Sequence, residues 1–254
     1  MAVTAELGKL SLDAPETAAN GSQSVQKAKS KDRVVAEMFD GKEEDVVAGG
    51  AGLNFEALVP FKGGLLVNQQ YAVTPKQLNK IIFEQGSALQ EEIRAIKGAT
   101  QRVEFPWFPS PEEGVWAERT VTYMTATTKV LKSARALESQ KYIAAGDGLY
   151  VVVISTAVPD LPMGQKFTTE VKFAIFAVAS GSAPASGEKP QPITALQVSY
   201  QTAFSKSTMM KSVIKKGTEE SLSETYDEFQ KLLAKYATLV GDPPRLSDSG
   251  KRKK

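Results

Sequence analysis

Between residues 149 and 178 the apolar and polar positions change rhythm twice. Residues 149–158 form a nearly unbroken apolar run. From Phe167 the chain alternates, with Phe167, Thr169, Val171, Phe173 and Ile175 on one side and Thr168, Glu170 and Lys172 on the other. A period of two marks a strand with one apolar face and one wet face. Between these runs lies Val158-Pro159-Asp160-Leu161-Pro162-Met163-Gly164. Its two prolines cannot donate to a sheet ladder, and Gly164 is expected to take backbone angles that other residues avoid, so the chain must stop and turn. The same patterning predicts strands at 65–73, 101–105, 115–125, 134–144, 149–158, 167–178 and 193–204, with Gly146-Asp147-Gly148 as a hairpin signal.

Helical periodicity appears in three places. Thr74-Pro75-Lys76-Gln77 is a helix start with a threonine cap, proline in the first turn and Gln77 placed to close a capping box; Leu78, Ile81 and Ile82 face inward behind it. A second helix is predicted over 87–97, with Leu89, Ile93 and Ile96 inward and Gly98 past its end. A long helix is predicted over 207–239, where Leu222, Tyr226, Phe229, Leu233, Tyr236 and Val240 recur at spacings of four and three. The order is one strand, two short helices, a run of antiparallel strands and a long helix. This predicts an α+β fold in which a curved antiparallel sheet grips the C-terminal helix.

Residues 1–50 carry few large apolar groups and are expected to form a tail, disordered or bound to a partner. A short helix over 24–39, with Val34, Val35 and Met38 on one side, is expected to fray on its own or to dock on a partner. The folded unit is expected over 53–240, with a polar and basic tail over 241–254. The Gly, Ser, Ala and Pro-rich stretch 180–192 reads as a loop between two strands.

Composition narrows the chemistry. The 254 residues contain no cysteine and no histidine. Ser-His-Asp and Cys-His catalysis and histidine-bearing zinc sites are therefore excluded. Gly49-Gly50-Ala51-Gly52 lacks the Lys-Ser/Thr continuation of a phosphate loop. Asp160 fits turn chemistry better than acid–base work, and neither it nor Glu170 belongs to a recognisable catalytic set. No enzyme activity, cofactor or metal is expected. No run reaches the roughly 18 to 20 apolar residues that span a bilayer. The net charge is +2, and the last four residues, Lys251, Arg252, Lys253 and Lys254, carry +4, which leaves −2 for the rest. A body of that charge does not suit nucleic acid.

Several segments in a fixed order carry a family resemblance: Arg119-Thr120-Val121-Thr122-Tyr123, Tyr150 to Val153, the turn from Val158 to Phe167, Phe204-Ser205-Lys206-Ser207, and then Lys211 and Ile214-Lys215-Lys216-Gly217. Together they resemble the VASt domain, a START-like lipid-transfer module, over about 66–240. Gln165 stands where the family usually has Asp or Asn, Phe204 where it often has tryptophan, and Ile214-Lys215-Lys216-Gly217 where Ile-Glu-Lys-Gly is frequent. The resemblance implies non-enzymatic carriage of a sterol or other lipid in a cavity between sheet and helix. The positions expected to line it are Val151, Val153, Phe167, Val171, Phe173, Leu196, Val198 and Tyr200 from strands and Met209, Met210, Val213 and Ile214 from the helix. Simple core filling is the competing reading of the same residues. Tyr200, Gln201, Ser155 and Thr169 are alternatives for orienting a sterol hydroxyl.

Two loops are unusually apolar: Phe105-Pro106-Trp107-Phe108-Pro109 and Leu161-Pro162-Met163. Trp107, Phe108, Leu161 and Met163 are expected to touch a bilayer, with Trp107 packing under the sheet edge as the other reading. The cluster Lys251 to Lys254 is expected to add a weak attraction to an anionic membrane surface. A second function class remains beside the carrier: a START-like interaction module within an assembly, contacting a protein through the N-terminal tail.

Overall fold

The computed structural model describes residues 30–39, 55–127, 132–146, 148–178 and 191–241. Five α-helices occur among them: α1 (Lys31–Glu37), α2 (Phe55–Leu58), α3 (Pro75–Phe83), α4 (Ala88–Lys97) and α5 (Lys211–Leu233). The strands are β1 (Gly64–Tyr71), β2 (Thr100–Glu104), β3 (Phe108–Pro109), β4 (Ala117–Met124), β5 (Arg135–Gly146), β6 (Leu149–Ala157), β7 (Phe167–Val178), β8 (Ile193–Phe204) and β9 (Leu239–Gly241). These nine strands of the described residues form one antiparallel sheet, ordered β2-β4-β5-β6-β7-β8-β1-β9, with β3 paired to β4. The α+β fold with a large antiparallel sheet and a C-terminal helix is the predicted helix-grip arrangement.

Local signals placed most elements. The Thr74 hydroxyl accepts from Gln77 N at 3.2 Å and the Gln77 side chain accepts from Thr74 N at 3.1 Å, so the capping box closes as expected. Thr74→Ala is expected to cost about 1 kcal/mol, checked by urea unfolding. Gly98 ends α4 in the left-handed region at φ 60°, where a Cβ is disfavoured. The hairpin glycines Gly146 and Gly148 have φ of 115° and 76°.

Two regions differ from the sequence reading. The long helix stops at Leu233 rather than near 239. The chain then turns so that Ala72 N donates to Thr238 O at 2.9 Å, and β9 adds to the edge of β1. A backbone partner on β1 outcompetes further helix. Residues 30–39, expected in the tail, carry α1, whose Val34 and Met38 are buried in the core cluster. Lys31 Nζ donates to Ser110 O and Glu112 O, both at 2.8 Å, which fastens α1 beside β3. The remaining tail residues, most of the 180–192 loop and the Lys251 to Lys254 cluster lie outside the described residues.

The sheet has two faces with different coverings. The inner face meets α3, α4 and α5, and cross-strand pairing orders it into rows. The first runs Tyr142, Val152, Phe173, Val198 and Val67; the second Gln140, Ile154, Val171 and Tyr200; the third Glu138, Thr156, Thr169 and Thr202. The outer face is covered where α2 reaches it. There Ala57 packs with Leu149, Val151 and Ala174, and Lys172 lies over the Phe61 ring at 4.8 Å while donating to Val59 O. Burial lowers the pKa of that ammonium.

Candidate functional site

The two halves of α5 are covered very differently: the C-terminal half is buried and the N-terminal half is exposed. Phe173 packs against the buried half, with ring centroids 5.1 Å from Phe83, 5.8 Å from Tyr226 and 5.9 Å from Phe229. Tyr226, Phe229, Leu232 and Leu233 are buried, so the C-terminal half of α5 is clamped to the sheet. Such aromatic packing adds about 0.5–1.5 kcal/mol per pair beyond its area. Glu92 on α4 accepts from Lys235 at 2.6 Å and from the Tyr236 hydroxyl, fastening the chain just past α5; these contacts hold its carboxyl below the usual range.

The N-terminal half of α5 behaves differently. Before Tyr226 none of its residues is buried, and only Ile214, Thr218, Leu222 and Thr225 are half-covered. Their spacings of four and three put them on the side of the helix that Tyr226 and Phe229 continue. Opposite them the third row, Thr156, Thr169 and Thr202, is only half-buried, and so are Phe167 and Phe204 beyond it. The Phe167 and Phe204 rings stand 6.0 Å apart at the rim. The 23-residue helix is therefore packed firmly at its C-terminal end and only lightly covered at its N-terminal end.

The predicted lining separates into groups. Phe167, Val171, Phe173, Leu196, Val198 and Tyr200 lie on the inner face, but Phe173, Leu196 and Val198 fill the closed core. Val151 and Val153 are on the outer face: Val151 pairs with Ala174 and packs near α2, and Val153 pairs with Lys172. Their inward neighbours are Val152 and Ile154. Residues 149–153 are apolar throughout, so the pattern could not say which set faced inward. Ser155 and Gln201 also face outward, and Gln201 donates to Glu170 at 2.6 Å. Of the four hydroxyl-orienting alternatives, Tyr200 and Thr169 remain on the inner face.

Ile214 is half-buried, whereas Met209 is 100% exposed, Val213 is 59% exposed and Met210 is 44% exposed. These three lie outside the lining because they precede or turn away from the buried stripe of α5. They stand near the turn after β6, since Ser205 N donates to Lys166 O at 2.9 Å and Ser205 Oγ to Gln165 O at 3.3 Å. Met163 is exposed and Leu161 half-buried on that turn.

Trp107 packs against the core. Its Nε1 donates to Phe83 O at 3.1 Å, its ring lies 4.6 Å from Tyr142, and the Arg119 guanidinium covers it at 4.4 Å. Phe108 is exposed on the outer side, where it lines a groove with Glu112, Glu118 and Lys141.

Sequence reasoning missed a polar chain on the inner face. Arg119, 2% exposed, contacts Glu104 through Nη1 and donates from Nε to Gln140 Oε1 at 2.7 Å. Gln140 in turn donates to Glu138, and Arg102 Nη2 donates to Glu104 Oε2 at 2.9 Å. The signal was present: Ala117, Arg119, Val121 and Tyr123 share one strand face, and Arg119 sits between two apolar positions. An arginine in that register faces inward and needs a carboxylate partner.

Comparison with known proteins agrees with this architecture. The family model described as VAD1 Analog of StAR-related lipid transfer domain matches residues 65–221. A protein of Arabidopsis thaliana described as a C2 and GRAM domain-containing protein is 31% identical over 172 residues, which covers 68% of this chain. The match spans only 16% of that much longer relative. Among the described residues, no helix is long and apolar enough to cross a membrane. The chain belongs to the VASt family of StAR-related lipid-transfer-like domains.

Proposed function

We propose that the protein binds a sterol or similar lipid in a recess beneath the N-terminal half of α5 and carries it between membranes without chemical change. One observation carries this reading: α5 buries no residue from Lys211 to Thr225, while the turns after it are tightly packed. A helix half so lightly covered suits an apolar guest, and enclosing one gains roughly 25 cal/mol per Å² of apolar surface removed from water. Ile154, Val171, Tyr200, Ile214 and Leu222 form the walls, with Thr169 and Thr202 on the floor.

The mouth lies between the turn after β6 and the start of α5. Leu161, Met163, Met209, Met210 and Val213 present apolar surface there, and Lys166, Lys206 and Lys211 stand among them in sequence. Apolar tips interleaved with lysines suit an anionic bilayer surface. This contact would admit the lipid without exposing it to water.

The test is extraction of a fluorescent sterol from liposomes by the purified chain, with transfer to anionic acceptor vesicles. Saturable uptake near one sterol per protein is expected. Thr169→Trp places an indole over the floor and is expected to lower extraction about tenfold, roughly 1.4 kcal/mol of binding, with melting unchanged within a few degrees. Undiminished extraction by this folded variant would place the lipid elsewhere. No uptake by folded wild-type protein would favour an interaction module instead. The exposed Val103, Phe105 and Phe108 near the β2 edge, with Leu137 on β5, would then be the surface to examine.

A further inference from the structure

On the outer face of the sheet, apolar side chains gather toward the β2 edge. On β4 the residues that alternate with buried Arg119 and Val121 point outward: Glu118, Thr120 and Thr122. Four large apolar side chains stand around this strip. Val103 and Leu137 flank Thr122 in one cross-strand row. Phe105 N donates to Thr120 O at 3.0 Å, which sets Phe105 beside the next row, and Phe108 pairs with Glu118 in the row after. All four are 41–51% exposed. Apolar groups gathered on one face mark a docking surface, whereas groups scattered singly do not.

The two ends of this strip differ in charge. At one end Phe108 lines a groove with Glu112, Glu118 and Lys141, and Glu113 is exposed next to it in sequence. Lys141 contacts Glu112, and Lys31 donates to the backbone carbonyls of Ser110 and Glu112. Three carboxylates thus face two ammoniums. At the other end Arg135 is exposed on the same face, two residues before Leu137 on β5, and Lys132 is exposed three residues earlier. Residues 125–137 contain no carboxylate at all. Arg135 and Lys141 mark the two ends on β5, about 20 Å apart at the rise of a strand.

An apolar middle between ends of opposite sign is complementary to a copy of itself. A two-fold axis lying between two such faces sets the acidic end of each copy over the basic end of the other and brings the apolar middles together. This is the ordinary face-to-face contact of two sheets. Pairing through the open edge of β2 is disfavoured by comparison. Gln101, at φ 50°, accompanies a register shift in β2, and Pro106 beyond its end has no N–H to donate.

We propose that this outer face is a homodimer interface, in which Arg135 of one copy meets the Glu112 and Glu118 end of the other across Val103, Phe105 and Leu137. The proposal does not depend on the carrier reading. The helix α5 lies on the opposite face of the sheet, so both copies keep it uncovered. A patch of three strands is small for a permanent dimer, so the association is expected to be reversible and concentration-dependent.

Sedimentation velocity of the full chain over about 1–200 μM tests this. A dimer is expected to form across that range. Leu137→Arg sets a cation into the apolar middle and is expected to raise the dissociation constant at least about tenfold. Phe105→Ser is expected to do the same and serves if Leu137→Arg fails to fold. Arg135→Glu alone and Glu112→Lys alone are each expected to weaken the dimer about tenfold, because like charges then meet at both symmetric contacts. An equimolar mixture of these two variants is expected to recover the wild-type affinity, since opposite charges meet again at both contacts. A residue that merely supports the fold of its own chain would not be rescued in this way.

A wild-type chain that sediments as a monomer throughout would overturn the proposal. So would a dimer that neither Leu137→Arg nor Phe105→Ser weakens, which would place the interface elsewhere. Failure of the two charge variants to associate when mixed, with each folded and monomeric alone, would reject the two-fold arrangement.

Discussion

Gly164→Ala is expected to destabilise the fold by at least about 4 kcal/mol. The turn after β6 folds back on itself: Leu161 N donates to Val158 O at 3.1 Å and Gly164 N to Leu161 O at 2.8 Å. A Cβ on Gly164 would enter the Val158 carbonyl oxygen and come within 2.9 Å of its carbonyl carbon. Those are backbone atoms, so no side chain can swing aside. The turn would have to open, and it carries Lys166 O, the acceptor for Ser205 N at the end of β8. Thermal unfolding should show a drop of roughly 10 °C or more at this size. The neighbouring Gln165→Ala, at an exposed position, should stay within about 0.5 kcal/mol of wild type. A melting temperature for Gly164→Ala close to that of Gln165→Ala would show that the turn has room the backbone geometry denies.

Arg119→Ala is expected to cost about 3–5 kcal/mol, the range for removing one partner of a buried ion pair. The guanidinium is at the centre of its surroundings: Glu104 on one side, Gln140 Oε1 at 2.7 Å on another, and the Trp107 ring at 4.4 Å. Its loss leaves the Gln140 oxygen without its donor and takes the cation from the indole. Glu104 keeps Arg102, which limits the damage. Arg119→Met, of similar volume, should recover part of the loss by filling the cavity. Arg119→Lys should recover less than its charge suggests, because an ammonium cannot reach Glu104 and Gln140 with one planar fork. Urea unfolding of the three variants checks the order; equal stability of Arg119→Ala and wild type would mean that the buried network contributes nothing net.

Much of the frame was legible because its signals are local. The strands β7 and β8 were predicted at 167–178 and 193–204, the bounds the structure has. In β7 the chain alternates from Phe167 to Phe173, and prolines and glycine punctuate the chain before it. The Thr74 capping box and the Gly98 cap were readable for the same reason: every partner lies within a few residues. Gly164 was recognised as indispensable to its turn but for the wrong reason. It does not adopt the left-handed region; Met163 does, at φ 65°, and Gly164 is needed for the close approach of Val158.

Which face the expected lining residues take was only partly legible. The sequence reads Val151 and Val153 as inward because the run around them is apolar on both faces. Alternation can separate two faces only when one of them is wet, and α2 keeps this stretch of the outer face dry. Met209, Met210 and Val213 were assigned to the lining by their apolar character. Which side of a helix start meets the sheet depends on where the helix is clamped, and the clamp is Tyr226, Phe229, Leu232 and Leu233, more than a dozen residues downstream.

The sequence by itself determined the family, the α+β class, most strand and helix positions and the exclusion of histidine and cysteine chemistry. These depend on periodicity, on caps and turns, and on which residue types are present. Only the tertiary structure decided that α1 docks on the core, that β9 replaces the last turns of the expected helix, and that Trp107 is held by Phe83, Tyr142 and Arg119. It alone brought Arg102, Glu104, Arg119, Gln140 and Glu138 together from three strands. Those outcomes rest on contacts between residues far apart in the chain, where the choice is made by which surfaces can be buried together and which buried charges can find partners.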